Sequence, residues 1–169
     1  MKILETDRLL LRWATEEDAA FILHLLNDPS WIEHLGDRGI KTIEQAKEYI
    51  SSVLLGMYRK FGLGLYIVER KKENIPIGIC GLIKRESLED IDIGFAFSSD
   101  HQRNGYGFEA ALATLKYARD HLGLQKIVAI TSMKNTNSSK LLCKIGMEYE
   151  RMVLLPHDKE ELRLYKIEF

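Results

Sequence analysis

The sequence predicts one α/β (α+β) domain in which helices flank a mixed, mostly antiparallel central sheet of about seven strands. Three observations carry this prediction. The 169 residues, 46% of them hydrophobic, suffice for one core. Short apolar runs alternate with segments of helical spacing along the chain. Polar turns too short for crossovers join three successive runs, which is typical of an antiparallel meander. We therefore treat residues 1–169 as a single domain.

Two capping boxes predict two successive helices in the N-terminal part of the chain. Thr15 with Asp18 resembles the first box, and Thr42 with Gln45 forms the second. The apolar stripe after the first box stops at the sequence NDP, residues 27–29, so we expect the first helix to end there. The second helix is expected to run to a glycine at its C-terminus.

The other elements are predicted from alternating apolar runs and from glycines that end helical patterns. Three strands are expected in the runs LYIVER, IPIGICGLIKR and IDIGFAF. A helix that ends at Gly123, a strand in KIVAIT, a short helix over Ser138–Ile145 and two final strands follow. With a first strand over Leu9–Arg12, the predicted order is β-α-α-β-β-β-α-β-α-β-β.

Composition excludes several classes of partner. The chain has 24 basic and 25 acidic residues with no block of one sign, so we expect no nucleic-acid partner. Charges interrupt the N-terminal run MKILETDRLLLRW, so we expect no signal peptide, no membrane span and a cytoplasmic protein. Cys80 and Cys143 lie far apart without metal-ligand spacing, so no metal site is expected.

The most informative segment is SSDHQRNGYGFEAA, residues 98–111, which joins an apolar strand to a helical pattern. The start of a helix exposes unpaired N–H groups and the positive end of the helix dipole, which together favour an anion. Gly105 and Gly107 let a ligand approach the backbone closely. A dipole contributes only about 0.3–1 kcal/mol, whereas micromolar affinity needs about 8 kcal/mol. The ligand must therefore make further contacts along the fold.

Two phosphate-binding motifs compare poorly with this segment. No Lys-Ser or Lys-Thr follows either glycine, which excludes a Walker A loop. Residues 105–110 satisfy G-x-G-x-x-A, but the preceding strand closes an antiparallel meander and the next strand does not end in an acidic residue. A dinucleotide-binding oxidoreductase remains an alternative on this weak fingerprint.

Residues 102–107, QRNGYG, resemble the Q/R-x-x-G-x-G/A signature of the GNAT superfamily of acyl-CoA-dependent N-acetyltransferases. The segment from Asn135 to Met147 is similar to the N-x-x-S…L-x-K-x-G-F segment of the Rim-type branch, which includes ribosomal-protein N-terminal acetyltransferases. Near the N-terminus, ETDRLLLR and NDPSW resemble further segments of that branch. The resemblance spans nearly the whole chain and agrees with the predicted order of elements.

The resemblance implies acetyl-CoA as co-substrate and no metal. Its diphosphate would bind the backbone amides of the glycine turn, about Arg103 to Phe108. Its pantetheine arm would pair with the strand before this turn, which separates from the KIVAIT strand in this family. A backbone N–H near Phe97 would polarise the thioester carbonyl. The implied cofactor-binding residues are Phe95, Ala96, Phe97, Gln102, Arg103, Asn104, Gly105, Tyr106, Gly107, Phe108, Asn135 and Ser138.

The implied reaction is direct attack of a neutral amine on the thioester, with coenzyme A as leaving group. Asp92 lies where the family often has a glutamate and is our candidate base; alternatively it is a solvated acid on a sheet face. Leu142 occupies the position of the tyrosine that many members use as acid. Ser138 would instead hydrogen-bond the leaving sulfur, unless it only caps its helix, and Asn135 would bind pantetheine or order a water.

The acceptor is the least specified part of the prediction. A protein N-terminal α-amine leads, because its pKa of about 7.7–8.0 demands less of a base than the value of about 10.4 for a lysine. A small-molecule amine such as a polyamine, amino acid or drug is the alternative. The resemblance places Trp31, His34 and His157 in loops that line the acceptor cleft. A catalytically silent CoA-binding regulator remains open, as do the monomeric and homodimeric states.

Overall fold

The computed structural model describes all residues 1–169 and is built around one sheet of eight strands. In chain order the strands are β1 (Lys2–Glu5), β2 (Leu9–Arg12), β3 (Leu65–Arg70), β4 (Ile75–Ile83), β5 (Asp92–Phe97), β6 (Lys126–Ser132), β7 (Glu148–Val153) and β8 (Leu162–Glu168). Their order in the sheet is β1-β2-β3-β4-β5-β6-β8-β7, and only the β5–β6 pair is parallel. The predicted α/β class and the mixed, mostly antiparallel sheet are confirmed.

The sequence predicted about seven strands, and the structure has eight, because β1 was not predicted. This strand pairs antiparallel with β2, with Lys2 opposite Arg12 and Glu5 opposite Leu10. Both of its ends are exposed and only its two central residues are partly buried, so it lacks the alternation that marks a half-buried strand. Its extended state depends on the neighbouring strand and not on its own pattern.

The helical segments are α1 (Ala19–Leu26), α2 (Pro29–Leu35), α3 (Ile43–Tyr49), α4 (Leu55–Phe61), α5 (Tyr106–Asp120) and α6 (Thr136–Lys144). A π-helical turn, Ile50–Leu54, joins α3 to α4. The second predicted capping box is confirmed, because Gln45 N donates to Thr42 Oγ1 at 3.1 Å and Thr42 N donates to Gln45 Oε1 at 3.2 Å. The predicted long helix is therefore present, with the π turn inside it.

Helix α2 corrects the expectation that the NDP sequence only ends a helix. The first helix ends at Leu26 with Asn27 as its C-cap, and Asp28 caps the next helix, because its Oδ1 accepts from Ser30 N at 2.9 Å and Pro29 takes the first helical position. Proline is favoured at that position because its missing N–H would be unpaired in any case. Trp31 and His34 consequently lie on a helix and not in a loop.

Two core clusters hold the helices on the sheet. The larger joins buried residues of α1 to α4 with those of β2, β3 and β4. The second lies among α5, α6 and β6 and includes Ile93 of β5. Helix α5 crosses β4, where Thr114 Oγ1 lies 3.4 Å from Cys80 Sγ. No helix combines the length and the apolar composition that a membrane crossing would require.

Candidate functional site

The turn between β5 and α5 exposes a row of backbone amides. A single 3₁₀ turn, Ser99–His101, follows β5, and α5 begins at Tyr106. Between them Arg103 has φ +66° and Gly105 has φ +80°. No backbone N–H from Arg103 to Phe108 donates a hydrogen bond within the protein. These donors stand at the positive end of a 15-residue helix, which makes the turn suited to an anion.

The two glycines of the turn are needed for different reasons. At Gly105 the left-handed φ is strained for any residue with a side chain, and a Cβ there would lie 3.3 Å from Arg8 Nη2. At Gly107 the backbone is helical, but a Cβ would lie 3.3 Å from Leu141 Cδ2 and 3.6 Å from Phe97 Cε2. The absence of both side chains keeps the amide row accessible and lets α6 pack close to the start of α5.

Side chains behind the turn fix its shape. Arg8 Nη1 donates to the Asn104 carbonyl at 3.1 Å, and Arg8 Nε donates to Glu109 Oε2 at 2.7 Å. Glu109 Oε1 also accepts from Thr6 Oγ1 at 2.5 Å and from Arg8 N at 3.0 Å. Burial alone would raise the pKa of Glu109, but the hydrogen bonds from Thr6 and Arg8 outweigh it and lower the pKa. The turn between β1 and β2 is therefore joined to the first turn of α5 by these hydrogen bonds.

Several predicted cofactor residues use their side chains to brace the turn. Gln102 Nε2 donates to the Phe97 carbonyl at 2.9 Å, and Asn104 Nδ2 donates to the Gln102 carbonyl at 3.2 Å. The buried Tyr106 ring lies under Arg8, whose guanidinium carbon is 4.4 Å from the ring centroid. These side chains are occupied, so the groups left for a ligand at this turn are mainly those of the backbone.

A second contact joins the turn to helix α2. Ser99 N donates to Asp28 Oδ2 at 2.9 Å, and Ser99 Oγ donates to Asp28 Oδ1 at 2.6 Å. Burial alone would raise the pKa of Asp28, but the hydrogen bonds from Ser99 and Ser30 lower it. One buried carboxylate thus caps α2 and holds the segment that leads into the glycine turn.

Strands β5 and β6 meet at one end and separate toward the other. Their register has the single pair Asp92 with Val128, and Val128 N donates to the Ile91 carbonyl at 3.0 Å. On its other edge β5 pairs with β4 as far as Phe97. Residues 93–97 therefore have no partner strand on the side that faces β6, and this open edge leads to the glycine turn. An extended chain that carries amides can pair there as an added strand would.

Asp92 is buried at the closed end of this gap. Arg85 Nε donates to its Oδ1 at 2.9 Å, and only 2% of the aspartate side chain is exposed. Burial raises the pKa of Asp92 to about 6, and the charge of Arg85 offsets only part of that shift. Because Ile93 packs with α5, alternation along β5 turns Asp92 toward the opposite face of the sheet. The alternative interpretation, a solvated acid, was wrong.

Helix α6 begins beside β6 with Asn135 as its N-cap. Asn135 Oδ1 accepts from Ser138 N at 3.1 Å, so the asparagine and not Ser138 caps the helix. The Ser138 hydroxyl makes no hydrogen bond within the protein. The next serine differs, because Ser139 Oγ lies 3.3 Å from Thr131 Oγ1. Leu142 is buried in the second core cluster and can donate no proton.

The predicted acceptor-side residues are dispersed. On α2 the atoms Trp31 Nε1 and His34 Nδ1 are buried without a hydrogen-bond partner. His157 lies in the exposed turn between β7 and β8, with φ +75°. The structure does not bring these side chains into one constellation with Asp92 that would define an acceptor.

Sequence reasoning missed the residues that support the site. Arg85 reaches Asp92 across the β4–β5 connection, and Arg8 reaches Asn104 and Glu109 across 96 and 101 positions. Asp28 reaches Ser99 across 71 positions. The only signal in the sequence was indirect, because Arg8 and Asp28 lie in the two N-terminal segments that resemble the Rim-type branch.

Comparison with known proteins identifies the family. Residues 8–148 match the family model described as an acetyltransferase (GNAT) domain. The protein YkkB of Bacillus subtilis is 31% identical over 153 residues, which cover 89% of this chain and 87% of YkkB. The uncharacterised N-acetyltransferase YoaA of the same organism is also 31% identical, over 88% of this chain and 84% of its own.

Solved structures agree with this assignment. A GNAT-family acetyltransferase from Bacillus anthracis superposes with a TM-score of 0.82 at 27% identity, covering 99% of this chain and 98% of its own. RimL, a ribosomal L7/L12 alpha-N-protein acetyltransferase in complex with coenzyme A, shares the fold with a TM-score of 0.83 at 16% identity, again over 99% and 98% of the chains. The sheet order also excludes a doubly wound dinucleotide-binding fold. The chain belongs to the GNAT acetyltransferases and is an acyl-CoA-dependent acetyltransferase.

Proposed function

We propose that this protein transfers an acetyl group from acetyl-CoA to the α-amine of a protein N-terminus. Acetyl-CoA supplies the activated acetyl group as a thioester. The chain supplies a seat for the diphosphate, an open strand edge for the pantetheine arm, a base for the amine and a hydroxyl for the departing sulfur. Each of these assignments rests on the contacts described above.

The free amides from Arg103 to Phe108 are the proposed diphosphate seat. They point to no acceptor within the protein, and the residues on either side of Asn104 hold the left-handed φ values that expose them. Gly105 and Gly107 leave room for close approach. The proposed contribution is the backbone amide, and not the side chain, of Arg103, Asn104, Tyr106 and Phe108.

The open edge of β5 is the proposed seat of the pantetheine arm. Phe95, Ala96 and Phe97 lie along the part of β5 that β6 leaves unpaired. The Gln102 side chain donates to the Phe97 carbonyl, so it fixes the backbone at the end of this edge. It can do this without contacting the ligand. Asn135 and Ser138 stand at the start of α6, next to β6, and are proposed to flank the arm and the sulfur.

Asp92 is the proposed general base. It lies at the closed end of the gap on the face opposite α5, and its Oδ2 accepts no hydrogen bond from another residue. Its pKa of about 6 leaves it ionised at neutral pH and able to accept a proton from the attacking amine. Arg85 holds the carboxylate in place and keeps its pKa from rising further.

The basicity of Asp92 is the observation that favours an α-amine. A base of pKa about 6 suits a nucleophile that is already partly neutral at pH 7, which an α-amine is and a lysine or alkylamine is not. The names of similar structures agree, since RimL acts on an α-amine by its description and another is described as a ribosomal-protein-S5-alanine acetyltransferase. A chimera of a spermidine N-acetyltransferase is also similar, which keeps a polyamine as second candidate.

A panel of amines tests this proposal. Release of coenzyme A should be measured with peptides that carry a free N-terminus and no lysine, with the same peptides blocked at the N-terminus and carrying one lysine, and with spermidine and free amino acids. We expect the free N-terminal peptides to react fastest, with the acetyl group on the α-nitrogen by mass spectrometry. Preferred turnover of spermidine would contradict the acceptor, and acetyl-CoA binding without any turnover would indicate a silent CoA-binding protein.

A further inference from the structure

We propose that Arg8 is a positioning residue that sets the geometry of the diphosphate-binding turn. It touches the turn from behind, at the Asn104 carbonyl and at Glu109. This inference rests on the proposed role of the turn in binding acetyl-CoA. It adds a residue that lies in the N-terminal segment, far from the glycine motif in sequence.

Arg8 fixes the orientation of one peptide group of the turn. In a trans peptide the carbonyl and the following N–H point in opposite directions. Arg8 Nη1 holds the Asn104 carbonyl at 3.1 Å on its own side of the turn. The N–H of Gly105 is therefore directed away from Arg8, toward the side where the other free amides of the turn are available.

Arg8 also compensates a negative charge beside the turn. Glu109 lies in the first turn of α5, where a carboxylate competes with a bound anion for the positive end of the helix. Arg8 Nε donates to Glu109 Oε2 at 2.7 Å, and Thr6 Oγ1 and Arg8 N occupy Oε1. The carboxylate is thereby paired on both oxygens by groups that do not belong to the amide row. One arginine thus compensates a negative charge and aims a backbone donor.

A further contact restrains Arg8. Its guanidinium carbon lies over the buried Tyr106 ring, 4.4 Å from the centroid. Lysine could pair with Glu109, but its ammonium on a flexible stem lacks the rigid planar fork with which the guanidinium joins Glu109 and the Asn104 carbonyl in one fixed geometry. This difference separates charge from positioning in an experiment.

The test measures acetyl-CoA affinity by calorimetry in four variants. Arg8→Ala should raise the dissociation constant by about tenfold to a hundredfold, since it removes charge-assisted hydrogen bonds behind the turn. Arg8→Lys should lose affinity by an intermediate factor. Arg8→Ala/Glu109→Gln should recover part of the loss of Arg8→Ala, because the repulsion is gone but the carbonyl is still free. Arg119→Ala removes the same charge from the other end of α5, where Arg119 pairs with Asp120 at 2.7 Å, and should bind as wild type does.

A split between KM and kcat distinguishes positioning from loss of structure. With the best amine of the panel, Arg8→Ala should raise KM for acetyl-CoA and leave kcat at saturation within about twofold, which a misfolded variant would not do. Wild-type affinity in Arg8→Lys, or full recovery in the double variant, would overturn the positioning role. If the wild-type chain itself binds no acetyl-CoA, the proposed function fails; if it binds and Arg8→Ala binds equally well, only this inference fails.

Discussion

The glycine turn and helix α2 meet at Ser99, but they present different kinds of chemical group. The turn offers backbone amides, and its side chains brace it from behind. Helix α2 contributes side chains, among them Trp31 and His34, each with a buried nitrogen that has no hydrogen-bond partner. A site made of backbone depends on φ and on the absence of side chains, so it leaves a motif in the sequence. A surface made of side chains can change with each residue, so it leaves none.

The largest expected effect is at Gly105, where the backbone site should fail. Gly105→Val places a β-branched residue at φ +80°, which strains the backbone of the turn, and a Cβ 3.3 Å from Arg8 Nη2, which displaces the guanidinium that bonds the Asn104 carbonyl. We expect the dissociation constant for acetyl-CoA to rise more than about a hundredfold, which corresponds to about 3 kcal/mol. Calorimetric titration with acetyl-CoA measures it.

Gly123 provides the matched control for this variant. It lies beyond the opposite end of α5 with φ +66° and nothing within 4 Å of a Cβ. Gly123→Val therefore imposes similar backbone strain, about 1–2 kcal/mol, without touching the turn. Equal loss of acetyl-CoA binding in both variants would mean that strain in α5, and not the turn, determines affinity.

Asp92→Asn tests whether the chemistry depends on one buried side chain. We expect kcat to fall by about a hundredfold with little change in acetyl-CoA affinity, since the amide cannot accept the amine proton. In the wild type kcat/KM for the neutral form of the amine should fall as the pH drops through about 6, because the carboxylate of the free enzyme takes up a proton there, and the variant should lack this limb. A pH series of initial rates at limiting and at saturating amine measures kcat/KM and kcat.

Asp90 serves as the control for Asp92. It lies two residues earlier, is partly exposed and pairs with Lys126 Nζ at 3.3 Å, outside the gap between β5 and β6. Asp90→Asn should keep both the wild-type rate and the limb near pH 6. An acid limb that persists unchanged in Asp92→Asn would assign the titration to another group and remove Asp92 from the reaction.

A smaller effect is expected where a side chain assists the leaving sulfur. Ser138→Ala should lower kcat by about tenfold and leave acetyl-CoA affinity within about twofold, because the hydroxyl makes no hydrogen bond within the protein. Ser139→Ala, on the same helix, removes a hydroxyl that already contacts Thr131 and should leave the rate unchanged. The rates of the two variants, compared at saturation, measure the difference; equal rates would assign Ser138 no part in turnover.

The smallest effect is expected at the contact that joins the two regions. Ser99→Ala removes one of the bonds to Asp28 and leaves the backbone bond and the Ser30 cap in place. We expect a loss of about 1 kcal/mol in unfolding free energy, with the dissociation constant for acetyl-CoA within about twofold of wild type, because the backbone bond still holds the segment before the turn. Chemical denaturation measures the first and calorimetry the second; an unfolding free energy equal to that of the wild type would mean that the hydroxyl bond contributes no net stability.

Local patterns predicted those elements whose causes are local. The Thr42–Gln45 box, the glycine that follows the long helix and the alternation of the meander all act within a few residues, and the structure contains each of them. Strand β1 lacks such a pattern and forms because β2 lies beside it. Helix α2 was missed because a proline that ends one helix also starts the next when an aspartate caps it.

The supporting contacts of the site could not be predicted because they join distant parts of the chain. The motif located the turn, but the pairing of Arg8 with Glu109 depends on where the sheet places β2 relative to α5. The burial of Asp92, which sets its pKa, depends on Arg85 and on the closing of β6 against β5. The acceptor is harder still to predict from the sequence, because the side chains that would bind it lie on separate elements.

A crystal structure with bound coenzyme A tests the central claim most directly. We expect the diphosphate oxygens within hydrogen-bond distance of the amides between Arg103 and Phe108, with the pantetheine arm along the open edge of β5. A diphosphate bound elsewhere, for example in the groove of about 400 Å³ between β1 and the outer face of α5, would contradict the account.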